Sequence, residues 1–215
     1  MKTILLFLIL SISGLTYSQQ SNTPKKLSDI SKLNTDKKGG YTQLNDQVFV
    51  SYSYIRNLGK FGDIYESSNG ITLNYGKYFP NNWLVVLRTG YISEKLREGI
   101  DSGGYSNFNV YPLHIGGRYY VYKNTIMPYF SFMNGLNFIS TSNYLGDPEI
   151  EDQFLLRYAF QVGFGIDVKF TKNMGMNLNI NFNNSFYKDD DIFDQTNSQM
   201  MTGFEYNFGF MYDFK

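Results

Sequence analysis

His114 is the single histidine of the 215-residue chain, so a search for catalytic chemistry starts there. A histidine base needs a nucleophile within hydrogen-bond reach and a third group that orients the ring. His114-Ile115-Gly116 offers no serine two residues on, and Ser131 is the nearest hydroxyl on the following segment. The expected role of His114 is therefore structural, a hydrogen-bonded imidazole in a packed polar interior, and no catalytic residue is assigned. A second group consists of Arg88, Arg118, Arg157 and Lys169 set against Asp167, Glu205 and Asp213. Two acidic runs, Asp147–Asp152 and Lys188–Asp194, lack the spaced oxygen ligands and turn glycine of a calcium loop, so both read as solvated rims and no metal is expected. The chain has no cysteine, which excludes disulfides, thiolate metal sites, cysteine nucleophiles and a lipid anchor on Cys. Gly163-Phe164-Gly165 lies in the middle of a strand-like segment with no following helix and is not a phosphate loop, so no cofactor is expected.

What positions these residues is a period of two. Leu156, Tyr158, Phe160, Val162, Phe164, Ile166, Val168 and Phe170 fall on one face, and Arg157, Ala159, Gln161, Gly163, Gly165, Asp167 and Lys169 on the other. The stretch 176–183 repeats the pattern with Met176, Leu178, Ile180 and Phe182 against four asparagines. Phe204, Tyr206, Phe208, Phe210, Tyr212 and Phe214 do so again near the C-terminus. Alternation over that length is a strand signal that no helical period reproduces. The pattern predicts eight strands, near 46–57, 69–80, 83–93, 107–122, 125–140, 154–170, 174–187 and 198–214. Tight turns at 80–82, 123–124 and 171–173 alternate with longer polar loops near 58–68, 94–106, 141–153 and 188–197. Short turns at one rim and long loops at the other are the mark of an outer-membrane barrel, with periplasmic turns, extracellular loops and both termini periplasmic.

Which face points outward is a question of volume. An eight-stranded barrel is just wide enough inside for side chains. The face rich in Phe, Tyr, Leu and Ile is too bulky to fit there, so it is assigned to lipid; the face of Gly, Asn, Ser, Ala and charges is assigned to the lumen. Composition agrees, since 19 Tyr, 19 Phe and one Trp suit aromatic girdles better than a small soluble core. The balance of 19 basic and 19 acidic residues gives no field for nucleic acid. Residues 1–18 read as a signal peptide: Lys2, the apolar run Ile4–Ile12, and Thr16-Tyr17-Ser18 as the cleavage site. Residues 19–45 are too polar to fold alone and read as a flexible periplasmic leader before the barrel at 46–215.

The segment Tyr111-Pro112-Leu113-His114-Ile115-Gly116-Gly117-Arg118-Tyr119-Tyr120, then Pro128-Tyr129, Gly135-Leu136, Gly163-Phe164-Gly165 and Phe214, resembles the small outer-membrane β-barrel domain of the OmpA-like superfamily. The version it is most similar to is the "porin family" barrel of Bacteroidota. The resemblance covers residues 46–215 and implies the barrel rather than an activity. No peptidoglycan-binding domain follows the matching stretch, so a wall-anchoring role is not implied, and the last residue is Lys215 where such barrels often end on an aromatic.

Buried charges persist only when paired. Arg88 and Arg118, at comparable distances from the turn rim, and Arg157 are therefore expected to meet Glu205 and Asp167, with Lys169 and Asp213, in a network that plugs the lumen. The function expected is a structural or partner-binding outer-membrane barrel, not an enzyme. A narrow or gated channel is the alternative, and a lipid A-modifying barrel enzyme a remote one. Expected partners are outer-membrane lipid and lipopolysaccharide, the barrel-assembly machinery during insertion, and a protein engaged through the loops or leader.

Overall fold

The computed structural model describes residues 46–214 except 102–103, 146, 150 and 187–199; the stretches read as signal peptide and leader, and the acidic run at 188–194, lie outside the described residues. Eight strands follow one another: β1 (Asp46–Leu58), β2 (Ser68–Phe79), β3 (Trp83–Glu94), β4 (Gly104–Tyr120), β5 (Ile126–Leu145), β6 (Gln153–Lys169), β7 (Met174–Phe186) and β8 (Met200–Phe214). Each pairs antiparallel with the next, and β8 returns to β1, from Asp46 opposite Phe214 to Leu58 opposite Thr202. The chain is an eight-stranded antiparallel up-and-down transmembrane β-barrel, and closure leaves no strand edge unpaired along that seam.

Local chemistry sets the turns. Asn81 and Asn82 both have positive φ, 61° and 68°, as a tight hairpin twisted to match its strands requires. The pairing of β3 with β4 keeps one register but lapses at Gly90 and Tyr91, opposite Pro112 and Tyr111 respectively. Proline has no amide hydrogen to give the ladder, which accounts for the gap.

The alternation sorts the side chains as expected. Phe130, Phe164 and Phe210 are each about 60% exposed on the outer wall, at 62%, 58% and 63%, while Arg88, His114, Arg118, Asp167 and Glu205 are buried inside. Two features depart from the sequence reading. Part of the segment expected to be a loop at 58–68 is a short helix, α1 (Gly59–Ile64). It holds by burying Phe61 and by close approach at Gly62, where an added Cβ would stand 2.8 Å from the Asn57 carbonyl oxygen. The inner face is also far less uniformly small and polar than expected: Phe49, Leu84, Phe108, Tyr120, Tyr129 and Ile139 point inward and are buried.

Candidate functional site

The lumen is layered. At the turn end, Phe49, Leu84, Val86, Tyr120, Tyr129 and Met211 belong to one apolar cluster. At the loop end, Ile55, Phe61, Tyr65, Ile92, Phe108 and Ile139 belong to another, with the Phe61 ring 4.8 Å from Tyr65 and 5.5 Å from Phe108. The Tyr65 hydroxyl accepts from the Tyr105 amide at 3.0 Å, which fastens the first long loop to β4. Burial raises the Tyr65 phenol well above its ordinary range, so it remains a neutral donor and acceptor. The Arg88–Glu205 pair lies between the two apolar layers.

The buried charges form two tiers. In the tier nearer the loops, Arg88 of β3 reaches across the lumen to Glu205 of β8. Gln161 of β6 closes the triangle, accepting from Arg88 Nη1 at 2.7 Å and donating to Glu205 Oε2 at 2.9 Å; Asn183 donates to the same oxygen at 2.8 Å. In the tier nearer the turns, Arg118 Nη1 lies 3.8 Å from Asp167, and the Tyr120 hydroxyl donates to Asp167 at 2.6 Å. Lys169 pairs with Asp213 on the same side. Each pair joins strands that are not neighbours in the sheet, so the tiers brace the barrel from within. Replacing such a pair by one bare charge is costly because the remaining partner stays desolvated.

An amide ladder runs from the turn-side tier toward the level of Glu205. Asn181 donates to Asn179 Oδ1 at 2.8 Å, Asn179 to Asn177 Oδ1 at 2.7 Å, and Asn177 to Asp167. Asn207 adds a donor to Asn179 at 2.8 Å. Every amide of the ladder points its N–H end toward the Asp167 carboxylate, an orientation that favours the ionised pair.

The expected network is therefore drawn differently in three places. Arg118 is not a partner of Glu205 but of Asp167, and it does not share a level with Arg88: along the β3–β4 ladder Arg88 is opposite His114, whereas Arg118 is opposite Leu84. Arg157, buried on the same inner face, donates from Nη1 to the Leu156 carbonyl at 3.0 Å. Lys169 and Asp213 close on each other rather than on the arginines. In sequence the asparagine ladder shows only as four asparagines at every second position, and nothing marks Gln161 as the third member of the Arg88–Glu205 triangle.

The side chain that His114 meets is an asparagine, with a serine beyond it. The imidazole Nε2 lies 2.9 Å from Asn137 Oδ1, and Asn137 donates on to Ser185 at 2.6 Å. Ser131 is opposite Arg118 and donates to Asn181 at 3.2 Å, while His114 is opposite Gly135. Four residues of strand, about 13 Å, separate the two positions. One further buried acid, Glu94 at the loop end, accepts from Asn57 Nδ2 at 2.7 Å and from Ser68.

Little space is left. A cavity of about 50 Å³ lies among Arg88, Glu94, His114, Asn137, Gln161 and Ser185, and another of about 10 Å³ lies between the tiers. The first holds a few waters and the second one at most. At the turn rim Lys123 lies 4.6 Å over the Tyr78 ring. Burial, and then the nearby Lys169, hold its ammonium below the usual lysine range.

No protein family and no curated protein matches the chain in sequence. Among solved structures it is similar to Neisserial surface protein A, with 14% identity and a TM-score of 0.57 over 79% of this chain and 97% of that one. It is similar also to OprG of Pseudomonas aeruginosa, at 12% identity and TM-score 0.55 over 82% and 98%. A third is Ail of Yersinia pestis, solved with the heparin analogue sucrose octasulfate, at 15% identity and TM-score 0.50 over 80% and 100%. What this chain shares with all three is the fold, that of a small eight-stranded outer-membrane β-barrel.

Proposed function

We propose that this chain is an outer-membrane barrel of structural and partner-binding type, whose lumen is a brace rather than a conduit. The observation that carries the reading is the filled interior: two ion-pair tiers, an amide ladder and two apolar clusters. Any interaction then belongs to the surfaces left over, namely the loop rim and the outer wall, with outer-membrane lipid, lipopolysaccharide and a protein bound through the loops or leader as the partners. Both termini are periplasmic and the four long loops extracellular in this reading, because insertion by the barrel-assembly machinery leaves short turns inside. A non-enzymatic role is part of this reading, and the hydrogen bond of His114 to Asn137 supports it. The motif Tyr111–Tyr120 supports placing it with the Bacteroidota-type barrels.

Liposome swelling tests the reading. Vesicles holding the full chain should swell in iso-osmotic arabinose no faster than empty vesicles. Swelling above that background would replace the brace with a channel.

A further inference from the structure

The outer wall where β1 meets β8 carries two depressions that meet at one side chain, Tyr54. The lower, of about 520 Å³, lies on the lipid-facing wall between Tyr52, Tyr54, Phe164, Ile180, Tyr206 and Phe208. The upper, also about 520 Å³, opens at the loop rim between Tyr54, Arg56, Asp63, Glu66, Ser67 and Arg97. The Tyr54 and Tyr206 rings, 6.2 Å apart, stand at the junction. Paired tyrosines on a barrel wall mark the level where acyl chains give way to headgroups. Arg56 is the next outward residue after Tyr54, about 7 Å further along the strand. An exposed guanidinium at that height is at headgroup depth, and its planar fork of donors suits phosphate oxygens.

The second cation is fixed in place. Arg97 donates to the Gly62 carbonyl, and its amide bonds the Ile64 carbonyl at 2.9 Å, so the second long loop is tied to α1. Of the two acids in the upper depression, Glu66 is held by Lys95 at 3.6 Å. That leaves Asp63 as the acidic side chain that the two guanidiniums outweigh.

We propose that the two depressions together bind one membrane lipid with a phosphorylated headgroup, its acyl chain along the lower groove and its phosphate against Arg56 and Arg97. The inference rests on the reading of the barrel as membrane-embedded, but not on whether its lumen conducts. Apolar area alone would hold any chain, and the arginines alone any anion. Their junction at Tyr54 selects a molecule with both.

The test is native mass spectrometry of the full chain in non-ionic detergent with added lipid A carrying two phosphates. One bound lipid A per barrel is expected, and dephosphorylated lipid A should be retained about tenfold less, the scale of losing one charge-assisted contact. The double variant Arg56→Gln, Arg97→Gln should lose the lipid to a similar extent, whereas Arg56→Lys, Arg97→Lys should recover part of it, which separates lost charge from lost folding. Ile180→Trp, which fills the lower groove, should also weaken retention. Equal retention of the two lipids, or no response to the arginine pair, overturns the proposal. So does a lipid-free dimer sensitive to Ile180→Trp, which would assign the groove to a second copy of the chain. Swelling of vesicles in arabinose would count against the brace reading and leave this outcome untouched.

Discussion

The guanidinium of Arg118 lies between two rings, its central carbon 4.3 Å from the Phe49 centroid and 4.6 Å from that of Tyr129. Its edge meanwhile faces Asp167 at 3.8 Å. The residue thus sits where the apolar layer of the turn end gives way to the charged belt, with faces suited to the first and an edge suited to the second. Lysine keeps the charge but not the flat faces. Arg118→Lys should cost about 1–2 kcal/mol, the value of a desolvated cation–aromatic stack. Urea titration of the protein refolded in micelles, followed by the gel shift of folded barrel, measures it.

The loop-side tier gives a larger effect. Glu205→Ala leaves Arg88 buried without its carboxylate and should cost about 3–5 kcal/mol, less where water enters. The double variant Arg88→Met, Glu205→Leu removes both charges and should recover most of that loss. A double variant as unstable as Glu205→Ala would mean that the pair is not the energetic unit.

Facing on the wall is tested by charge. Phe164→Arg and Phe208→Arg put a cation on the outer surface below the Tyr54–Tyr206 level and should each cost up to about 2–4 kcal/mol in lipid vesicles. Phe164→Leu, which keeps an apolar surface there, should cost far less. If Phe164→Arg and Phe164→Leu refold with equal stability, the outer face is not in lipid.

Close packing inside the wall is tested at Gly135. A Cβ there would overlap the Leu113 carbonyl oxygen and the His114 Cα. Gly135→Ala should cost about 1–3 kcal/mol by overpacking. It should also displace the His114 ring from Asn137, seen as a shift of the single histidine's imidazole signals in NMR.

Much of this architecture is written in the alternation. From Leu156 to Phe170 the sequence already separates wall from lumen, and β6 (Gln153–Lys169) matches the predicted strand 154–170 within one residue at each end. The ends of β4 and β5 run beyond the alternating stretches because Gly104 and Leu145 still pair across the ladder, which neither residue type signals. The inward aromatics were hidden for a related reason. Phe49 sits between Val48 and Val50, where a binary pattern has no contrast to show. The partners were out of reach altogether: Arg88 and Glu205 are 117 residues apart on non-adjacent strands, and only the closed register brings them together. α1 escaped notice because its six residues carry no side-chain cap, and it is held by the burial of Phe61 rather than by helical propensity.

The central claim is that side chains close the lumen, and single-channel recording in planar bilayers tests it most directly. Wild-type protein should show no conductance steps at any voltage. Glu205→Ala should show none either, because the Arg118–Asp167 tier and both apolar layers remain when the loop-side tier is lost. Resolved steps in the wild type, or steps that appear in Glu205→Ala, would contradict the account and make the Arg88–Glu205 pair a gate.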